Sequence, residues 1–229
     1  MLLTSAGPAL KGRYRAFLFD MDGTLINSIA AAERIWGAWA VRHGLDVASF
    51  LPTIHGVRSV DTIAHLALPG VDPEMEALAI TRAEIADVDG IIEVPGAARF
   101  LRSLPAAGWA IVTSAPKALA IRRLEAAGIP LPPLLVTAED VAAGKPNPDC
   151  YLLAARKLGV DASDCLVFED ASAGILAGEA AGAKVMVVTA THVHPMATPH
   201  ASISAYDSLL AEVDEDGFIL LKEQAPAQP

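Results

Sequence analysis

The stretch that decides the fold is Phe17-Leu18-Phe19-Asp20-Met21-Asp22-Gly23-Thr24-Leu25. Its apolar first part predicts a buried strand, and Asp-Gly-Thr predicts the turn that ends it. Asp20 then lies at the carboxyl end of the strand, and Asp22 lies in the turn that follows. Ligands of open α/β sheets bind at this edge, where one carboxylate can act as nucleophile or metal ligand and another as proton donor. Taken alone, the same residues also fit an ordinary Asp-Gly turn.

Apolar runs elsewhere in the chain predict the rest of a sheet. The predicted strands are Ala16–Asp20, Trp109–Thr113, Leu134–Thr137, Cys165–Glu169 and Lys184–Val188. Helices are predicted between the last four, at Pro116–Ala127, Pro148–Leu158 and Ala171–Ala181, with Asn147 as N-cap of the second. Strands that alternate with helices in this way predict an α/β fold with a Rossmann-like parallel sheet covered on both faces.

The gap between the first two strands is too long for a single crossover helix. Helical patterning appears within it at Ser28–His43, Ser59–Leu68 and Pro73–Ala86. We therefore predict a helical cap at residues 27–92, inserted into a core made of residues 1–26 and 93–229. A cap beside Asp20 can close over a ligand and exclude water, although a purely structural helical subdomain fits the same pattern.

Composition narrows the choice of partners. The chain has 17 Lys and Arg against 27 Asp and Glu, a net charge of −10. Such an acidic protein repels phosphate backbones and anionic lipid, which argues against nucleic acid and membranes as partners. No apolar run approaches the roughly 18 residues that a membrane span needs, and no signal peptide pattern is evident. We expect a cytoplasmic protein, a monomer or weak dimer, that acts on a small metabolite.

Polar residues lie at the ends of two later predicted strands and in the loop before a predicted helix. Thr113-Ser114 offers a hydroxyl and backbone N–H groups to an oxyanion, although a threonine there is also typical of a helix cap. Lys145 lies in the rigid loop Gly144-Lys145-Pro146-Asn147-Pro148, where most lysines are simply solvated. Glu169-Asp170 ends a buried strand, which is costly unless a cation is near. Such a set of oxygen ligands suits Mg²⁺.

Together these motifs resemble the haloacid dehalogenase-like phosphohydrolase superfamily. Asp20-x-Asp22-Gly23-Thr24 matches its first motif and Thr113 its second, while Lys145-Pro146 and Glu169-Asp170-Ala171 with Gly174 match the third and fourth. The resemblance extends from about residue 14 to residue 188 and includes a cap inserted after the first motif.

The resemblance implies a division of labour. Asp20 would attack phosphorus and form an aspartyl-phosphate, and Asp22 would act as acid and then as base. Phosphoryl oxygens would be bound by Thr113, Ser114 and Lys145. The Mg²⁺ ligands would be Asp20, the Asp22 carbonyl, Asp170 and Glu169, the last directly or through water, with Thr24 and Ser172 as supports.

The cap residues bear on the substrate. His55-Gly56-Val57-Arg58 resembles a cap segment of sugar-phosphate and glycerol-phosphate phosphatases, including the 2-deoxyglucose-6-phosphate type. His55 and Arg58 would donate hydrogen bonds to the substrate, although a solvated surface turn is the competing interpretation. Trp36 and Trp39, three residues apart on one helix, favour the cap core over a sugar platform. Thr191-His192-Val193-His194 is interpreted as a loop and not as a metal site.

Three functions fit these features to different degrees. We expect a Mg²⁺-dependent phosphatase of small sugar or polyol phosphates. A phosphomutase similar to β-phosphoglucomutase shares every core motif, so the core does not separate the two. Receiver domains also combine clustered acids with Thr and Lys, but they are about half this length and lack a cap.

Overall fold

The computed structural model describes residues 12–223, so the ends of the predicted core, 1–11 and 224–229, lie outside the described residues. The strands are β1 Gly12–Tyr14, β2 Ala16–Phe19, β3 Ile26–Asn27, β4 Ile92–Glu93, β5 Trp109–Val112, β6 Leu135–Val136, β7 Cys165–Glu169, β8 Lys184–Val188, β9 Ala201–Ile203, β10 Leu209–Val213 and β11 Ile219–Glu223. The α-helices are α1 Ile29–Arg42, α2 Val47–Phe50, α3 Ser59–Leu66, α4 Pro73–Ala86, α5 Ala97–Ser103, α6 Lys117–Ala126, α7 Asp149–Leu158 and α8 Ser172–Ala180. Within residues 12–223, every helix is too short or too polar to span a bilayer.

The core is a six-stranded parallel sheet in the order β6-β5-β2-β7-β8-β9. The chain adds strands on one side of β2 and then crosses to the other side at β7. This reversal makes the carboxyl end of β2 a switch point, where crevices for ligands form in open sheets. The predicted fold class, a Rossmann-like parallel sheet with flanking helices, is confirmed.

Alternate residues of the central strands fill two hydrophobic layers, one on each face of the sheet. Phe17 and Phe19 lie in one layer with Phe168, and the rings of Phe19 and Phe168 stack with centroids 4.6 Å apart. Leu18 and Val167 lie in the opposite layer. Burial on both faces explains why these strands are nearly continuous apolar runs.

The helices α1 to α4 lie between β3 and β4, which pair antiparallel with Ile26 opposite Glu93 and Asn27 opposite Ile92. Both predicted boundaries of the cap, 26/27 and 92/93, fall inside this two-stranded sheet. The helices share a hydrophobic cluster of their own that includes Trp36 and Trp39. The two indole rings meet edge to face at 5.7 Å and are buried, as the cap-core interpretation requires.

Several elements differ from the sequence prediction. A three-stranded antiparallel sheet, β1-β11-β10, was not predicted, because most residues of its strands are at least partly exposed and the strands therefore lack the fully buried pattern of the central sheet. The parallel sheet also continues into β9. The helix predicted from Pro148 begins at Asp149, with Pro148 at the N-cap position. Asn147 lies one residue earlier, where its Oδ1 accepts a hydrogen bond from the Asp149 N–H at 3.0 Å.

Candidate active site

The polar residues predicted for the site converge on the carboxyl edge of the sheet. Asp20 follows β2, Thr113 follows β5, and Glu169 and Asp170 lie at the end of β7. Because these three strands are neighbours, residues far apart in the chain come together. All four side chains are buried, and the exposed fraction is 8% or less for each.

Lys145 connects the first and fourth motifs. Its Nζ donates to Asp20 Oδ1 at 2.6 Å, to Glu169 Oε1 at 2.7 Å and to the Val112 carbonyl at 3.2 Å. Burial opposes the charge, but Asp20 and Glu169 raise the pKa of Lys145 well above its usual value. Lys145 is therefore a permanent cation at the floor of the site.

Glu169 has its hydrogen-bonding capacity filled by protein groups. Oε1 accepts from Lys145 and from the Tyr151 hydroxyl at 2.9 Å, and Oε2 accepts from the backbone N–H groups of Asp170 and Ala171. The carboxylate lies directly against Gly174, where a Cβ would come within 1.5 Å of Oε1. Glu169 is therefore a rigid support for Lys145 and has little capacity left for a further ligand.

A buried cluster of acids has the donor set of a hard metal ion. Oxygen atoms of Asp20, Glu169 and Asp170 lie within 4.8 Å of one another. Burial raises the pKa of Asp20 to about 7, with Glu169 adding to the rise and Lys145 opposing it. Burial, together with Asp20 and Glu169, also raises the pKa of Asp170 well above its usual value. Lys145 pairs with two of these three carboxylates, Asp20 and Glu169, and a divalent cation would balance the remaining charge.

The turn after β2 lies in close contact with this acidic cluster. Gly23 has a φ of +87°, and a Cβ there would come within 1.9 Å of Asp170 Oδ2. The Thr24 hydroxyl donates to Asp170 Oδ1 at 3.4 Å, a long contact. The Asp-Gly-Thr sequence therefore allows the turn to approach Asp170. Ser172, the other predicted support, is exposed at the first residue of α8.

Asp22 lies apart from the acidic cluster and has different partners. Its Oδ1 accepts from the Ser28 hydroxyl and from Arg123 Nη1, the latter at 2.9 Å. The two carboxylates of the first motif thus occupy distinct environments, because Asp20 pairs with Lys145 and Asp22 pairs with Arg123. Separate environments are what two carboxylates need in order to take different roles.

A cavity of about 80 Å³ lies between the sheet edge and the cap. The core contributes Asp20, Asp22, Thr113 and Asp170 among others. The cap and its linker contribute polar and aromatic groups that include Ser28, Trp36, His55, Ser59 and Glu84.

The predicted cap segment contacts the core beside the cavity. The Ser114 hydroxyl donates to the Gly56 carbonyl at 3.0 Å, and a Cβ on Gly56 would come within 2.7 Å of Ala171 Cβ. His55 lines the cavity, with its Nε2 3.6 Å from Glu33 Oε1. Ser114, predicted to bind phosphate, also lines the cavity, but its hydroxyl is engaged by the cap.

Arg58, the other predicted cap residue, lies beside the core in a different place from His55. Its guanidinium makes two hydrogen bonds to Asp61, at 2.6 and 2.9 Å, and one to the Val141 carbonyl at 3.2 Å. It lines a separate open groove of about 750 Å³ and not the cavity that contains Asp20. In this arrangement Arg58 joins cap to core.

Sequence reasoning missed several buried polar residues of the site, among them Arg123, Glu84, Tyr151 and Ser28. Arg123 Nη2 donates to Glu84 Oε1 at 3.0 Å, so a core helix and a cap helix share a buried ion pair. A signal for both exists: Arg123 follows buried Leu119 by four residues, and Glu84 follows buried Ile80 by four. A charge on the apolar face of a helix indicates a buried partner.

The histidines at 192 and 194 lie outside the acidic cluster. His192 Nε2 is 2.9 Å from the Asp170 carbonyl, and His194 is exposed. The segment is a loop, as predicted.

This chain is similar to known proteins. A family model described as haloacid dehalogenase-like hydrolase matches residues 14–182. Hexitol phosphatase A of Escherichia coli is 43% identical over 182 residues, which cover 78% of this chain and 84% of that protein. Glycerol-1-phosphate phosphohydrolase 2 of Saccharomyces cerevisiae is 35% identical over 202 residues, 83% of this chain and 80% of that protein.

A crystal structure of a hydrolase from Pseudomonas syringae superposes with a TM-score of 0.67 at 28% identity, covering 77% of this chain and 84% of that chain. The family match includes all four predicted motifs and the helices between β3 and β4. The chain is therefore a phosphatase that belongs to the haloacid dehalogenase-like hydrolase family.

Proposed function

We propose that this phosphatase hydrolyses small sugar or polyol phosphates through an aspartyl-phosphate on Asp20. The observation that carries the proposal is the position of Asp20 in the cap-covered cavity. Its Oδ1 accepts a hydrogen bond from buried Lys145, whereas Asp22 accepts one from a different cation, Arg123. Lys145 stabilises the ionised, nucleophilic form of Asp20.

The proposed reaction has two steps. A carboxylate oxygen of Asp20 bonds to phosphorus as the bond from phosphorus to the leaving oxygen breaks, and Asp22 gives that oxygen a proton. Asp22 then removes a proton from water, which attacks the aspartyl-phosphate and releases inorganic phosphate. Thr113 and Lys145 bind the phosphoryl oxygens, where positioning and charge stabilisation count most.

The metal in this proposal is Mg²⁺, because the available donors are all oxygens. Asp20 and Asp170 would hold the ion together with the Asp22 carbonyl, and Glu169, whose oxygens are already engaged, would act through Lys145 or through water. When bound, Mg²⁺ neutralises charge on the phosphoryl group and orients it.

The cap supports a small, hydroxylated leaving group. The cavity between cap and core is narrow and presents polar side chains, among them His55, Ser59 and Glu84. The similar proteins named above include a hexitol phosphatase and a glycerol-1-phosphate phosphohydrolase. We propose a substrate of the same chemical kind, a phosphorylated polyol or sugar of three to six carbons.

Metal-depleted protein should release no phosphate from a panel of hexitol, hexose and glycerol phosphates, and added Mg²⁺ should restore release. Phosphate release and isomeric sugar phosphates would be measured in the same reactions. Stoichiometric phosphate supports the phosphatase, whereas isomeric product with little phosphate indicates a phosphomutase. No turnover of any member with Mg²⁺ present would overturn the proposal.

Replacing His55 by Ala should change substrate preference. We expect kcat/KM for the best polyol phosphate to fall by about 10- to 100-fold, the effect of losing one polar contact in a desolvated site. Hydrolysis of p-nitrophenyl phosphate should fall by less than about threefold, because that ester offers no aliphatic hydroxyls.

Arg58→Ala is the matched comparison for His55→Ala. Arg58 joins cap to core and does not line the cavity, so its loss should affect both substrates by the same factor. An equal loss on both substrates for His55→Ala would assign His55 a supporting role in the cap. A selective loss for Arg58→Ala would restore the sequence-based prediction that it binds substrate.

A further inference from the structure

Arg123 is a buried cation in contact with a proposed catalytic group. It lies on α6 of the core and is 6% exposed. Nη1 donates to Asp22 Oδ1 at 2.9 Å, and Nη2 donates to Glu84 Oε1 at 3.0 Å. One guanidinium thus joins the turn after β2 to the cap helix α4.

The arrangement depends on the position of the cap. Glu84 is 4% exposed, and α4 packs against α6. Separating the two helices would break this pair and expose both groups to water, leaving Arg123 with Asp22 as its carboxylate partner. Glu84 therefore holds Arg123 only in the arrangement in which the cap covers Asp22.

The hydrogen bonds to Asp22 are all on one oxygen. Ser28 and Arg123 both donate to Oδ1, and within residues 12–223 no hydrogen bond to Oδ2 is present. Ser28 lies between β3 and α1, where the chain enters the cap. Two donors from different elements fix the carboxyl group and leave the other oxygen available to carry the proton.

We infer that Arg123 is a positioning residue, which Glu84 anchors when the cap is seated and which holds Asp22 for proton transfer through Oδ2. The inference rests on the proposed function, in which Asp22 protonates the leaving oxygen. Arg123 also lines the cavity, so a direct contact with substrate hydroxyls is the competing role.

A series of leaving groups without hydroxyls separates these roles. Propyl, phenyl and p-nitrophenyl phosphate need progressively less help from a general acid, because their leaving groups are progressively weaker bases. In Arg123→Lys the charge remains, but a lysine cannot bridge two carboxylates as the guanidinium fork does. We expect kcat/KM to fall by about 30- to 100-fold for propyl phosphate and by less than about threefold for p-nitrophenyl phosphate, with phenyl phosphate between them.

The control variants are close in the chain. Arg122 is exposed on the same helix, and Arg122→Lys should stay within about twofold on every ester. Glu84→Gln should lower kcat/KM by smaller factors, again largest for propyl phosphate and smallest for p-nitrophenyl phosphate. This second variant tests the inference if Arg123→Lys folds poorly. In an Asp22→Asn background, Arg123→Lys should cost less than about twofold on phenyl phosphate, because residues that act through one another are not additive.

Other outcomes overturn the inference. A uniform loss on all three esters would mean a structural role, and a loss confined to polyol phosphates would mean direct recognition of hydroxyls. An undiminished effect in the Asp22→Asn background would show that Arg123 does not act through Asp22. Failure of the proposed function is distinguishable, because it would appear as turnover that survives loss of Asp20.

Discussion

Asp20→Asn should lower phosphate release by at least about 10³-fold, the loss expected when a covalent mechanism loses its nucleophile. An amide has nearly the shape of a carboxylate but is a far weaker nucleophile. Its oxygen still accepts from Lys145, so we expect the variant to fold. Turnover of the best polyol phosphate and the thermal midpoint of unfolding would be measured together.

The control for Asp20→Asn is Asp149→Asn, an identical change at an exposed residue of α7. It should retain wild-type turnover within about twofold, as surface substitutions generally do. Near-normal activity of Asp20→Asn would move the nucleophile to another residue and end the aspartyl-phosphate proposal. Inactivity with a collapsed midpoint would instead require the test to be repeated on a folded variant, such as Asp20→Glu.

Gly174→Ala should lower both stability and turnover, against the usual trend for helices. Alanine inside a helix normally stabilises by roughly 0.5–1 kcal/mol relative to glycine. Here the added Cβ would lie 1.5 Å from Glu169 Oε1, so Glu169 must move away from Lys145 and Tyr151. We expect a lower thermal midpoint and a loss of turnover of about 10²-fold, because Lys145 then loses one of its two carboxylate partners.

Gly178 on the same helix provides the comparison for Gly174. A Cβ there would meet Val185 Cγ2 at 3.1 Å, and its three nearest atoms are all valine carbons. Gly178→Ala should therefore leave turnover within about twofold and change the midpoint only slightly. A stable, active Gly174→Ala variant would mean that Glu169 can shift without displacing Lys145.

The sequence was sufficient for the fold because the strands are buried on both faces. In Cys165–Glu169 the first four residues are apolar, and the polar residue that ends such a run identifies the sheet edge. Strands β1, β10 and β11, in which most residues are at least partly exposed, were not predicted. The fold prediction thus succeeded where burial was complete.

The contacts within the site lay beyond sequence reasoning, because they join distant positions. Lys145 and Asp20 are separated by 125 residues and Arg123 and Asp22 by 101, so no local spacing relates them. Lys145 was identified from its rigid loop before a helix and from the family resemblance, not from any spacing to Asp20. Arg123 belongs to no motif, and only its position on the apolar face of α6 indicates that it is buried.

The two-stranded β3–β4 sheet has a consequence for how new substrates can be acquired. Because the chain leaves and re-enters the core on adjacent, hydrogen-bonded strands, residues 27–92 have closely spaced ends. Insertions with such ends are exchanged most readily as single blocks. Recombination at this sheet would import a different recognition surface while Asp20, Lys145 and Glu169 stay in place. The incoming block must bring with it replacements for Glu84 opposite Arg123 and for the Ser28 hydroxyl on Asp22.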